Sequence, residues 1–201
     1  MTGPAWVLLG LGLLVVVVQR RTLALGAVSA QVLVLVGLAF ADAGDLHEFA
    51  ATGALAVRGT VLAVVFGLLI SRTRDSRPVA HPLKPLLRGA LAVGLGLALT
   101  WLVPPIGLAD RTAEPVVLCL VAFGLLVAAT SRATIVQVLG VLLVENGMSL
   151  AALQLPGSSW MIELGVAVDV ILIALVAGIF HERIFVEFGA GDSAALRSLR
   201  D

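Results

Sequence analysis

The fold is decided by a stretch of 23 residues, ATIVQVLGVLLVENGMSLAALQL, which occupies positions 133–155. The stretch is apolar almost throughout and carries a single charged side chain, Glu145. About 20 such residues form a helix that crosses the roughly 30 Å hydrocarbon layer of a membrane. Strands of a membrane barrel are about ten residues long and alternate between apolar and polar side chains. This continuous stretch therefore predicts a transmembrane helix, in which every backbone group is satisfied internally.

Similar stretches recur along the rest of the chain and leave little room for anything else. Of the 201 residues, 60% are hydrophobic and 13% are charged, and the mean hydropathy of +1.09 excludes a water-soluble globule. We therefore predict an all-α polytopic membrane protein with about seven transmembrane helices, which form a single integral membrane domain over residues 1–201. The predicted spans are residues 4–18, 22–40, 50–70, 89–103, 115–130, 133–155 and 160–181.

The distribution of basic residues predicts the orientation of these spans. The formal net charge is zero, which argues against nucleic acid as a partner. Arg111 is the only basic residue in the loops on one side of the predicted spans, and the other basic residues outside the spans lie on the opposite side. Basic residues are concentrated in cytoplasmic loops. The protein is expected in the inner (cytoplasmic) membrane of the cell. Its N-terminus is expected outside and its C-terminus in the cytoplasm, and all three Trp residues are expected at the outer interface. The basic residues on the opposite side from Arg111 are Arg20, Arg21, Arg72, Arg74, Arg77, Lys84, Arg88, Arg132, Arg183, Arg197 and Arg200.

Four ionisable residues lie inside predicted spans: Arg58, Glu145, Glu163 and Asp169. A charge at the bilayer centre costs about 3 kcal/mol on insertion scales, so such groups face protein or water and mark candidate functional sites. At about 1.5 Å of rise per residue, Arg58, Glu145 and Asp169 all lie roughly 12–15 Å from the outer edge. Because a short turn joins the last two spans, Glu145 and Asp169 are expected to meet on facing helices and to exchange protons directly or through water.

Each of these residues also has a purely structural interpretation. Glu145 and Asp169 can form static hydrogen bonds between helices, and Glu163 can be an interfacial charge favoured by its helix N-terminus. Arg58 would reach outward to the headgroups if the third helix began later than predicted. Three polar side chains of the sixth span either hold a water chain or pack against neighbouring helices. These side chains are Gln137, Asn146 and Ser149.

The sequence offers no pattern that is typical of an active site. It contains neither a Cys and His cluster at metal spacing nor a nucleophile with a base partner, and we predict no catalytic centre, no metal and no cofactor in this chain. The pairs Gly10/Gly12 and Gly94/Gly96 lie inside spans without a preceding strand. We interpret them as sites of close helix packing and not as a nucleotide-binding motif.

The C-terminal third of the chain resembles a known family. The motif VENG at 144–147 is followed by a short Pro-containing turn, by IELG at 162–165, by Asp169 and by GIF at 178–180. In these motifs and in its span pattern, the chain resembles hydrogenase-4 component E. Residues 115–184 are similar to the three-helix K-type subunit of complex I and to the C subunit of multisubunit cation/proton antiporters.

The resemblance implies a role for the chain and for its charged residues. It implies a non-catalytic membrane subunit of a complex-I-like hydrogenase or related oxidoreductase, next to antiporter-like subunits and a redox module, which takes part in proton or sodium translocation. Glu145 would match the first mid-membrane Glu of the K-type subunit. The second mid-membrane Glu of the K-type subunit would be matched by Asp169, if depth decides, or by Glu163, if residue type decides. Arg58 would stand where the family usually has Lys and would modulate the carboxylates electrostatically.

Two other functions remain open from the sequence alone. The first is a structural subunit that anchors its neighbours without conducting ions. The second is a self-contained secondary transporter, for which an internal repeat and a broken helix would be expected.

Overall fold

The computed structural model of this protein describes residues 2–73 and 83–155. The predicted seventh span, with Glu163 and Asp169, lies outside the described residues. Each described helix coincides with one of the first six predicted spans, and the ends differ by four residues at most. In chain order, the helices are α1 (Thr2–Val17), α2 (Arg21–Asp42), α3 (Leu46–Thr73), α4 (Pro85–Leu102), α5 (Ala113–Thr130) and α6 (Thr134–Leu153).

The described part of the chain is all-helical, as predicted, with no β-strand between residues 2 and 73 or between 83 and 155. Five of its helices, α2 to α6, are long and apolar enough to cross a membrane. The remaining helix, α1, is also apolar but has only 16 residues. The structure thus supports a multi-pass membrane protein, while the number of seven spans and their orientation stay predictions.

Two helices begin four residues earlier than hydropathy alone predicts. At the start of α3, Asp45 Oδ1 accepts a hydrogen bond from the Glu48 N–H at 2.8 Å, and Glu48 Oε2 accepts one from the Gly44 N–H at 2.6 Å. This is the pattern of a capping box, which satisfies backbone donors at a helix start. At the start of α4, Pro85 occupies the first helical position, where its missing N–H is tolerated. A side-chain cap therefore extends α3 beyond its apolar segment, and a proline at the first position begins α4 before its apolar segment.

Successive helices run antiparallel, and α5 lies at the centre of the described bundle. It packs against α1, α4 and α6, whereas α2 packs against α1, α3 and α6. The buried core includes Leu8, Leu35, Leu120, Phe123 and Leu139. The third helix, α3, packs mainly on α2 and has little backbone contact with α6. Contact between α3 and α6 therefore depends on long side chains.

Among the described helices, α5 and α6 have the most extensive contact, and they are linked by the short connection at Ser131. A Cβ built on Gly124 would lie 2.5 Å from the Gly140 carbonyl oxygen, and one built on Gly140 would lie 2.6 Å from the Ala128 backbone nitrogen. Only glycine permits such an approach of two backbones. The short connection and this close approach make α5 and α6 antiparallel neighbours.

The antiparallel arrangement brings the starts of α2, α4 and α6 to one end of the bundle, called here the basic end. Among the described residues, this end carries no Asp or Glu, and its basic residues are Arg20, Arg21, Arg72, Lys84, Arg88 and Arg132.

The opposite end, called here the acidic end, holds the starts of α3 and α5. Hydrogen bonds from the hydroxyl and the N–H of Thr112 hold the pKa of Asp110 below its usual range at this end. Trp6 and Trp101, which are 67% and 90% exposed, also lie here. Exposed Trp at one level of an apolar bundle is typical of a membrane interface.

Candidate functional site

A buried ion pair joins α3 to α6 in the middle of the bundle. Arg58 Nη2 forms a salt bridge with Glu145 Oε2. Arg58 lies midway along the apolar part of α3, ten residues from either limit of 48–68. Glu145 lies eight residues before the end of α6, which is roughly 12 Å at the helical rise. Arg58 and Glu145, which were predicted to share one depth, are thus in direct contact, while the predicted meeting of Glu145 with Asp169 falls outside the described residues.

Ser149 completes the polar surface that α6 presents to α3. It lies one turn after Glu145, on the same face of the helix, and its Oγ is 3.3 Å from Arg58 Nη1. The guanidinium thus contacts two polar side chains of α6. Its Nε is buried and has no hydrogen-bond partner within the described ranges, so it retains one free donor for a further acceptor such as water or a carboxylate.

The structure decides between the two interpretations of Arg58. An outward-reaching Arg58 would require a late start of α3, but α3 begins at Leu46 and places Arg58 about 18 Å from that end. Arg58 is only 2% exposed, and the Glu145 side chain is 13% exposed. The hypothesis that Arg58 reaches to the headgroups is therefore wrong, and its charge is held inside the bundle.

A second polar connection crosses the bundle next to the ion pair. Asn146 Nδ2 donates to Gln31 Oε1 at 3.1 Å, and Gln31 Nε2 donates to the Leu8 carbonyl oxygen at 2.8 Å. Gln31 is completely buried and Asn146 is 1% exposed. The two amides link α6 through α2 to α1, so that α6 has direct polar contacts with α2 and α3 and is connected to α1 through Gln31.

A small cleft lies beside these amides, between α2, α3 and α6. Asn146, Ser29 and Gly59 are among its lining residues. Its volume of about 10 Å³ is close to that needed for one water molecule. Apart from Ser29 and Asn146 its lining residues are apolar or glycine, and Glu145 does not line it.

The structure does not bring every predicted site residue to this place. Gln137 Nε2 donates to the Ser131 carbonyl oxygen at 2.9 Å, and it lies eight residues before Glu145, roughly 12 Å away along α6. Gln137 therefore belongs to the connection between α5 and α6. The predictions for Glu163 and Asp169 fall on residues outside the described ranges.

Sequence reasoning missed Gln31, although a signal for it exists. Gln31 is an amide in the middle of an otherwise apolar span, the same kind of signal that identified Asn146. A buried amide in lipid needs partners on a neighbouring helix, and this argument applies equally to both residues. The two amides could have been proposed as a pair.

The arrangement can hold charge and orient water, and in the described residues it offers little else. No group of three or more His, Cys, Asp or Glu side chains within residues 2–73 and 83–155 could hold a metal ion. Cys119 is buried against Gly96, where it acts as a small packing residue.

No family model, curated protein or solved structure matches this chain.

Proposed function

We propose that this chain is a non-catalytic membrane subunit of a complex-I-like hydrogenase or related oxidoreductase. In this proposal, Glu145 exchanges protons as part of redox-coupled proton or sodium translocation. The observation that carries the proposal is the mid-span contact of Arg58 with Glu145 inside a bundle of apolar helices. Ionisable groups at this depth are unfavourable in lipid and are concentrated along ion pathways.

The surroundings of Glu145 support exchange with water or with another carboxyl. The Glu145 side chain is 13% exposed, so it is not fully enclosed by the described helices. Arg58 keeps its charge under protein conditions and therefore acts on Glu145 electrostatically without carrying the proton. We propose Asp169 as the second exchanging group and Glu163 as a contributor nearer the outer side.

The proposal places the energy-supplying reaction in other subunits. The resemblance of residues 115–184 to the K-type subunit and to the antiporter C subunit names the expected neighbours, which are antiporter-like membrane subunits and a hydrogenase or related redox module. The expected location is the cytoplasmic membrane, with the basic end towards the cytoplasm.

The test uses the complex purified from its native membrane, with the copurifying subunits identified, and reconstituted into vesicles. We expect Glu145→Gln to leave assembly and redox turnover intact and to lower ion pumping severalfold, because the amide cannot release a proton. The matched control is Glu48→Gln, which makes the same chemical change at an exposed helix start. Pumping by the Glu48 variant should equal that of the wild type.

One observation favours a second candidate, a structural anchoring subunit. Because α3 has little backbone contact with α6, the contacts of Arg58 with Glu145 and Ser149 hold the two helices together. Normal pumping by the Glu145→Gln complex, or loss of assembly with no separable transport defect, would select this role. Ion transport by the reconstituted chain alone would instead select a self-contained secondary transporter.

A further inference from the structure

A second arginine, Arg88 in the first turn of α4, is buried far from the ion pair. Arg88 is 1% exposed. Its Nε, Nη1 and Nη2 atoms are all buried without a hydrogen-bond partner in the part of the chain that the structure describes. A guanidinium has five N–H donors and a permanent charge, and an unpaired charge is unfavourable in a protein interior. An anionic group bound here would remove this penalty.

The start of α4 supplies further donors at the same place. Lys84 precedes the helix and makes no side-chain cap, and the first turn contains no acidic residue. The N–H groups of Leu86 and Leu87 therefore have no acceptor within the helix, and the positive end of the helix dipole attracts anions. Helical side chains tilt towards the N-terminus, so the Arg88 side chain has these N–H groups within its reach.

The rest of the basic end has the same excess of donors. The helices α2 and α6 also start there, and neither has a side-chain cap or an acidic residue in its first turn. The hydroxyl of Ser131, a residue that is 3% exposed, is likewise buried without a partner within the described ranges. At the acidic end, by contrast, Glu48 and Glu114 lie in the first turns of α3 and α5.

We propose that the basic end binds the phosphate group of an anionic phospholipid at the N-terminus of α4, with Arg88 as its main ligand. The planar guanidinium fits two phosphate oxygens at once, and the N–H groups of Leu86 and Leu87 add further donors. Arg88 lies four residues after Lys84, roughly 6 Å along the helix. Its flexible aliphatic stem covers this distance and lets the guanidinium move from its buried position to the headgroups.

The position favours a lipid over free phosphate as the source of this group. The site lies at one end of apolar helices that are long enough to cross the bilayer, where headgroups are concentrated. Basic pockets between transmembrane helices are known to bind acidic headgroups. This proposal is independent of ion translocation by Glu145, and its test does not use pumping as a readout.

The test measures lipid binding to the full chain in detergent by native mass spectrometry. Phosphatidylglycerol and phosphatidylcholine with identical acyl chains are compared, and inorganic phosphate is added as a competitor. We expect phosphatidylglycerol to bind about tenfold more tightly, because its phosphate charge is uncompensated, whereas the choline cation of phosphatidylcholine neutralises the same phosphate and is repelled by Arg88. Arg88→Gln should abolish this preference. The matched control is Arg20→Gln, which removes a positive charge from an exposed residue of the same end. This variant should retain the preference for phosphatidylglycerol.

Several results would overturn the proposal. Equal binding of the two lipids by the wild type, or an unchanged preference in Arg88→Gln, would exclude Arg88 as a headgroup ligand. Displacement of phosphatidylglycerol by millimolar phosphate would identify free phosphate as the ligand. Loss of a copurifying membrane protein from Arg88→Gln, with lipid binding unchanged, would identify a partner's carboxylate. If Arg88→Gln does not fold, the wild-type comparison of the two lipids and phosphate still decides.

Discussion

Glu145 and Asn146 are neighbours in the sequence and contact different helices. Successive residues of a helix do not face the same side, so Glu145 reaches Arg58 on α3 while Asn146 reaches Gln31 on α2. The ion pair and the amide connection therefore lie side by side across α6. Substitutions can remove the charges of the site while the amide link between α6 and α2 stays in place.

The first prediction concerns the energy of the ion pair. Arg58→Met should lower the free energy of unfolding by about 3 kcal/mol, because it leaves Glu145 without its guanidinium partner. The double variant Arg58→Met/Glu145→Met should recover most of this loss, since two apolar side chains replace the pair. The measurement is denaturant unfolding in detergent micelles. Arg20→Met, at an exposed arginine, is the control and should change little.

Glu145→Met completes the cycle, and if the loss in the double variant equals the sum of the losses in Arg58→Met and Glu145→Met, the two charges are not coupled. In that case the contact in the structure contributes little to stability, and the anchoring role of α3 through this pair is contradicted.

Much of this site could be predicted from sequence because intramembrane charges need partners. Arg58 and Glu145 were placed at one depth by counting residues, and depth limits the possible partners to a few. Gln31 was missed because its uncharged amide stands out less in a span than a charge does. The burial of Arg88 could not be predicted, since its position near the end of a span is equally typical of an exposed flanking charge.

At the scale of helices, hydropathy locates the middle of each element and local chemistry sets its ends. The predicted third span began at residue 50 because the residues before it are polar, but the Asp45 and Glu48 side chains start α3 at Leu46. The sequence contains this signal, since an Asp followed three residues later by Glu predicts a capped helix start. A search for caps would have corrected the span.

Glycine pairs show what the sequence does not reveal about packing. The pairs Gly10/Gly12 and Gly94/Gly96 were both predicted to pack closely, but only Gly12 and Gly96 have a neighbour within 4 Å of an added Cβ. Residues two apart lie about 200° apart around a helix, so only one member of each pair can face the same neighbour. Which member does so depends on the tertiary arrangement.

The second prediction uses this difference between glycines. Gly140→Ala should destabilise the protein by about 1–3 kcal/mol, because its Cβ would meet the backbone of α5 and not a flexible side chain. Gly94→Ala is the matched control, since nothing lies within 4 Å of its added Cβ. It should be neutral or slightly stabilising, because alanine is the better helix former. Thermal unfolding of both variants in the same detergent measures the difference.

Equal effects of the two substitutions would contradict the close approach of α5 and α6. A loss of stability in Gly94→Ala alone would instead place a neighbour against the open face of α4.

At the scale of the whole molecule, the two ends of the bundle differ in charge. The basic end has uncapped helix starts with no Asp or Glu among the described residues, whereas at the acidic end Glu48 and Glu114 lie in the first turns of α3 and α5. Helix dipoles alone would favour acidic residues at every helix start. Their absence at one end is the pattern expected of an end that faces the cytoplasm, where basic residues are concentrated.

The third prediction is that the basic end faces the cytoplasm. In a Cys119→Ala background, a cysteine introduced in place of Arg111 at the acidic end should react with a membrane-impermeant maleimide added to intact cells. One introduced in place of Arg132 at the basic end should react only after the membrane is permeabilised, because the reagent does not cross the bilayer. Both arginines are exposed, so a difference in labelling reports the side of the membrane.

The reverse pattern would contradict the orientation inferred from charge and would place the Arg88 site in the outer leaflet. Labelling of both positions in intact cells would indicate two orientations in one membrane, which the strong difference in charge between the two ends argues against.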